Sequence, residues 1–119
     1  YYLIAGEKSG DMHGSRLIRA LRQLDKQAIC RGWGGSHMEQ AGAELVVHYS
    51  ELAVMGLNIV RSLCKLMRYL QYCKKDILQF KPDAVILIDY AGFNLRMAKF
   101  AKSQDLPVFY YIPPKVWAW

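Results

Sequence analysis

Hydrophobic and polar positions along this chain switch repeatedly between a strand-like and a helix-like period. Residues 1–5 form a short apolar run closed by Gly6, after which Ser9-Gly10-Asp11 supplies a turn and a candidate N-cap. Met12, Ile18, Leu21 and Leu24 then recur at helical spacing, with Arg16, Arg19 and Arg22 between them. They predict an amphipathic helix of roughly four turns. Residues 28–33 read as a second strand stopped by Gly34-Gly35, residues 36–41 as a short helix ending at Gly42, and residues 44–49 as a third strand. From 57 to 80 the pattern is helical and long. Residues 84–89 are a strongly β-type run, introduced by Lys81-Pro82-Asp83 and bounded by Gly92. A helix over 94–103 and a last strand over 107–112, cut off by Pro113-Pro114, complete the pattern. Strands separated by helices predict βαβ units and a parallel sheet, so the class is α/β, with no internal repeat or linker.

Composition narrows this further. The 119 residues suit one domain, and 53% apolar with 13% aromatic residues excludes a disordered chain. The longest apolar runs are stretches such as Ala84-Val85-Ile86-Leu87-Ile88, far short of the ~18 residues a spanning helix needs. The start has neither the basic region nor the cleavage site of a signal peptide. Ends at Tyr1 and at the paired indoles of Trp117 and Trp119 read as cuts in a longer protein, because exposed aromatic termini invite aggregation. Cys30, Cys64 and Cys73 form no CxxC pair, which points to a reducing, cytoplasmic compartment and away from a disulfide scaffold or zinc site. His13, His37 and His48 share no ligand spacing, so no metal is expected.

Charge changes the picture at one place. The formal net charge is +6, and most of it sits between Leu57 and Lys81, where Arg61, Lys65, Arg68, Lys74, Lys75 and Lys81 face the single acid Asp76. Leu63, Met67 and Leu70 share a helical stripe with Val60, while Leu66, Cys73 and Ile77 continue an adjacent one. A basic amphipathic helix suits an anionic membrane surface. The plainer alternative is a crossover helix packed on the sheet with a solvated basic face. Nucleic acid is disfavoured, since no exposed aromatics interleave the basic residues and no reader motif is present.

Two segments carry candidate chemistry. Gly6-Glu7-Lys8-Ser9-Gly10-Asp11 follows the first strand and opens the first helix, where small residues allow a tight turn and free N–H groups attract an anion or hydroxylated ligand. It is neither a dinucleotide fingerprint nor a Walker A loop. Its alternative reading is structural, with Gly6 and Gly10 serving the turn and Ser9 or Asp11 capping the helix. In Ile88-Asp89-Tyr90-Ala91-Gly92-Phe93-Asn94, a carboxylate ends an apolar strand and reaches the sheet's carboxyl edge, where a general base is useful. The alternative is that Asp89 accepts backbone N–H bonds in its own loop.

Four segments in order resemble the lipid-A-disaccharide synthase family. Ala5-Gly6-Glu7-Lys8-Ser9-Gly10-Asp11, with Gly14, resembles its AGExSGD opening, and Glu51-Leu52-Ala53-Val54-Met55-Gly56 its ELAVMG segment. Ile88-Asp89 with Phe93-Asn94 matches the core of its IDAPDFN motif, and residues 111–119 resemble its HYVSPSVWAW stretch. The resemblance implies a Rossmann-like parallel sheet flanked by helices, over residues 1–119, as a truncated N-terminal, acceptor-side domain of a GT-B glycosyltransferase lacking its C-terminal nucleotide-sugar domain. It implies an inverting, metal-free and cofactor-free transfer from UDP-2,3-diacylglucosamine to 2,3-diacylglucosamine 1-phosphate, forming a β-1,6 linkage. The implied setting is lipid A biosynthesis at the cytoplasmic face of the bacterial inner membrane.

In that frame Asp89 is the catalytic base, and Gly6, Glu7, Ser9, Gly10, Asp11 and Asn94 are substrate-binding residues. Leu63, Met67, Leu70, Arg61, Lys65 and Arg68 are the membrane-contact residues. The chain departs from the family where Tyr90-Ala91-Gly92 stands for Ala-Pro-Asp, removing a second acid near Asp89, and where Tyr110 replaces a histidine. Pro113 and Lys115 replace serines. Three rival readings are another UDP-sugar enzyme such as an epimerase, a non-catalytic membrane-surface domain, and a flavodoxin-like binding domain. The piece alone is expected to be inactive.

Overall fold

The computed structural model describes residues 1–53 and 59–111. Its elements are β1 (Tyr2–Ala5), α1 (Lys8–Leu24), β2 (Arg31–Gly34), α2 (Ser36–Gln40), β3 (Glu44–His48), α3 (Tyr49–Ala53), α4 (Ile59–Phe80), β4 (Val85–Ile88), α5 (Ala91–Ser103) and β5 (Val108–Tyr111). The five strands pair in parallel in the order β3-β2-β1-β4-β5, a Rossmann-like α/β arrangement. Val54 to Gly56 of the ELAVMG segment and the whole stretch 112–119 lie outside the described residues, as does the side chain of Arg61.

Side-chain alternation explains the layers. Along β1 and β4, Tyr2, Ile4, Val85 and Leu87 join the core formed with Leu70, Cys73 and Ile77 of α4 and with Phe93, Met97 and Ala101 of α5. The intervening Leu3, Ala5, Ile86 and Ile88 join the opposite core with Ile18 of α1 and Met38 of α2. Strands covered on both faces need apolar residues at every position, which is why these two runs lack polar alternation. From β1 the chain moves through α1 to β2 and β3 on one side, and α4 then returns it to β4 on the other. Right-handed crossovers in opposite directions put the helix pairs on opposite faces. The carboxyl ends of β1 and β4 therefore flank a topological switch point, where open α/β sheets receive ligands.

Element boundaries differ from expectation at several places: β2 begins at Arg31, three residues later than the expected strand over 28–33, and takes in Gly34. α1 begins at Lys8 with Glu7 as N-cap and no side-chain cap, ahead of the expected Ser9 or Asp11. α5 begins at Ala91, before Asn94, behind a left-handed Tyr90. The short α3 follows β3 directly and carries no periodic signal long enough to show in the sequence.

One polar network crosses the α4–sheet interface. Asp76, the lone acid of the basic segment, is buried and accepts from Arg31 Nε at 2.9 Å, Arg31 Nη2 at 2.7 Å and Tyr2 Oη at 2.8 Å. Tyr2 Oη in turn accepts from Trp33 Nε1 at 2.9 Å, and Glu44 pairs with Arg31. The Asp76 carboxylate thereby joins α4 to β1 and β2, and Arg31 extends the network to Glu44 of β3. Burial pushes the Asp76 carboxyl upward, but the hydrogen bonds from Arg31 and Tyr2 and the charge of Arg31 outweigh it, and the net direction is down.

Candidate functional site

At the switch point the β1–α1 and β4–α5 loops lie against each other. A methyl group at Gly6 would overlap the Tyr90 ring, so only glycine lets the two loops close to this distance. Tyr90 also stacks on Phe93, with centroids 5.4 Å apart and planes 22° from parallel. Gly10 brings α1 down on the sheet, where its Cβ position is 3.1 Å from Ala5 Cβ and 3.5 Å from Ile88 Cγ2. Burial, and then the negative charge of Glu7, raise the pKa of the Tyr90 hydroxyl. Glu7 is exposed beside this contact, and Ser9 is half-buried in the first turn of α1.

Asp89 stands half-buried where β4 ends. Its φ is +50° and that of Tyr90 is +54°, two successive non-glycine residues in the left-handed region. The Asp89 N–H donates to Tyr111 O at 3.2 Å, and its carbonyl accepts from Asn94 Nδ2 at 2.7 Å and from Tyr110 Oη at 3.0 Å. Hydrogen bonds thus hold its backbone, while no described residue donates to its carboxylate. Burial, followed by the charge of Asp89, raises the Tyr110 hydroxyl's pKa, in keeping with its nearness to that carboxylate.

Three expected contact residues have other occupations. Asp11 is buried, and its carboxylate accepts from Gly35 N at 2.7 Å, Met38 N at 2.9 Å and His37 N at 3.0 Å. It caps α2 from the neighbouring helix, so it serves the β2–α2 turn in place of a ligand. Asp11→Ala orphans three buried or partly buried N–H groups at once. It is expected to destabilise the protein by about 2–4 kcal/mol, read as a lowered denaturant midpoint of the full-length chain. An unchanged midpoint would remove this cap from the fold's essential contacts. Asn94 is also fully buried, and its amide group donates to Ile4 O at 3.2 Å as well as to Asp89 O. It fixes the loop and offers no amide proton to a substrate. Leu70, at 2% exposure, packs in the core with Trp33 and Cys73, which takes it off the expected membrane stripe. Leu63 and Met67 are 62% and 47% exposed, and Lys65 and Arg68 are exposed beside them.

Tyr110 and Tyr90 were legible only as departures from a motif; their contacts with Asp89 and Gly6 arise from strand pairing and loop closure. Among the described residues, no group of three or more His, Cys, Asp or Glu is arranged for a metal ion. No helix among them is long and apolar enough to cross a membrane.

An open parallel α/β sheet with a carboxylate at its switch point places the chain among the α/β domains that receive ligands at the carboxyl ends of their strands. Within that class, the sequence profile of the lipid-A-disaccharide synthetase family matches residues 1–119, and the chain belongs to that family. It is 42% identical over 118 residues to a lipid-A-disaccharide synthase of Coxiella burnetii and 44% identical over the same length to one of Geobacter metallireducens. Each alignment covers 98% of this chain and 31% of the relative, so the chain spans about a third of the length of the relatives it matches. The family assignment leaves the epimerase and the free-standing membrane-surface readings unfavoured.

Proposed function

We propose that these residues form the acceptor-side domain of a GT-B glycosyltransferase whose donor-holding half lies outside them. The reaction joins UDP-2,3-diacylglucosamine to 2,3-diacylglucosamine 1-phosphate through a β-1,6 bond and releases UDP. Asp89 is the general base. It takes the proton of the acceptor 6-hydroxyl as that oxygen attacks the anomeric carbon from the face opposite UDP, which inverts the configuration. The observation that carries this reading is a half-buried carboxylate at the switch point of a chain matching the family from end to end. Gly6, Glu7 and Ser9 shape the adjoining floor of the cleft, and Gly10 seats α1 beneath them.

The enzyme works on lipids from the cytoplasmic face of the inner membrane. Leu63 and Met67 dip into the interface, with Lys65 and Arg68 against anionic headgroups. The remaining exposure of Leu63 and Met67 supports this, since a helix packed on both apolar stripes would bury them. Leu63→Ser with Met67→Ser is expected to lower partitioning onto phosphatidylglycerol vesicles about tenfold in a sedimentation assay. Turnover of detergent-dispersed substrates should stay unchanged, and undiminished partitioning would remove this face from the membrane contact.

The test of the reaction is incubation of the full-length protein with both substrates in detergent, following UDP and disaccharide by mass spectrometry. Disaccharide and UDP in equal amounts are expected. Folded protein that yields neither would overturn the reading.

A further inference from the structure

The left-handed pair at Asp89 and Tyr90 is the most strained piece of described backbone near the candidate site. Each such non-glycine residue is costly, and it persists only where the surroundings over-determine it. Here the surroundings are specific. The Asp89 carbonyl has two lone pairs and receives two donors, Asn94 Nδ2 at 2.7 Å from α5 and Tyr110 Oη at 3.0 Å from β5. The same Asn94 amide bonds Ile4 O at 3.2 Å, which ties the loop back to the end of β1. The Asp89 N–H is held by Tyr111 O at 3.2 Å. A flip of the Asp89–Tyr90 peptide would relieve the positive φ of Tyr90. It would also take from the buried Asn94 amide the shortest of its hydrogen bonds and from the half-buried Tyr110 hydroxyl its acceptor, so it is opposed.

We propose that Tyr110 and Asn94 are positioning residues that lock the Asp89 peptide in its left-handed turn and so aim the Asp89 carboxylate at the acceptor hydroxyl. This rests on the reading of Asp89 as the general base. Neither residue touches the reacting atoms; both act through the Asp89 carbonyl. Tyr110 contributes by its hydroxyl alone, since the ring packs with the neighbouring core whether or not the oxygen is present. In this chain β5 supplies a long phenolic side chain at the position, and its reach brings the donor to the loop from the neighbouring strand.

Tyr110→Phe in the full-length protein separates this role from general support, because it keeps the ring and removes one donor. Turnover is expected to fall about tenfold with both KM values and the thermal midpoint unchanged, since a base held less tightly lowers the chemical step without altering binding. Hydrogen exchange followed by mass spectrometry should quicken several-fold in peptides covering residues 88–92, with β1 and α1 unaffected. Unaltered turnover with unaltered exchange overturns the proposal. A loss of turnover accompanied by a lowered midpoint and faster exchange across the whole sheet overturns it too, because that is the signature of a merely structural hydroxyl. Product formation by the parent protein is scored separately. If the parent makes no disaccharide the transfer reading falls, while faster exchange confined to residues 88–92 still upholds the lock and unaltered exchange there removes it.

Discussion

Asp89→Asn in the full-length enzyme is expected to reduce turnover by about 10²–10⁴-fold, the range for removing a general base, with the fold and substrate KM values retained. The substitution isolates the chemistry well. Asparagine has the same shape and tolerates a left-handed backbone, so the +50° φ of residue 89 and the hydrogen bonds of its carbonyl are preserved. What disappears is the ability to accept a proton from the attacking hydroxyl. Initial rates of UDP release, with circular dichroism as the check on folding, measure this directly. Turnover within about threefold of the parent would take Asp89 out of the proton transfer.

The second large effect concerns stability. Asp76→Ala removes the acceptor shared by Arg31 and Tyr2, leaving the guanidinium with Glu44 alone and the buried phenol without its acceptor. Breaking a buried pair from one side typically costs about 3–5 kcal/mol, and the partial exposure of Arg31 places the expected loss near about 3 kcal/mol. Denaturant unfolding of the full-length protein should show it, and Asp76→Asn, which keeps an acceptor, should fall between. A loss below about 1 kcal/mol would mean that the network specifies how α4 sits without stabilising it. The same carboxyl predicts an acid limb. Its folded pKa lies below the ordinary carboxylate value, so its stabilisation is present above the unfolded pKa near about 4 and is lost as pH falls through the folded one. The Asp76→Ala variant should lose stability less steeply over that window.

Much of this molecule is written in local pattern. The apolar runs at 1–5 and 84–89 and the long helical period after 57 specify strands and helices because side-chain spacing along a strand or helix is a property of the neighbouring residues alone. The carboxylate at the end of β4 was legible for the same reason: a charged residue closing a fully apolar strand has to emerge at the sheet's edge.

Partnership between distant residues was decided elsewhere. Asp11 reads as a cap for its own helix, yet the N–H groups it accepts from belong to residues 24 to 27 positions further on. Asp76 reads as a lone acid in a solvated basic face, and becomes the buried acceptor of Tyr2 and Arg31. The period of α4 groups Leu63, Met67 and Leu70 without saying which of them meets the core, and packing with Trp33 and Cys73 buries Leu70 while the other two stay exposed. Sequence by itself determined the principal strands and helices, their α/β alternation and the carboxylate that closes β4, since these follow from spacing and connection length. Only the tertiary structure decided the strand order and which acids are enclosed, because burial and hydrogen-bond partners depend on what other segments bring to the same place.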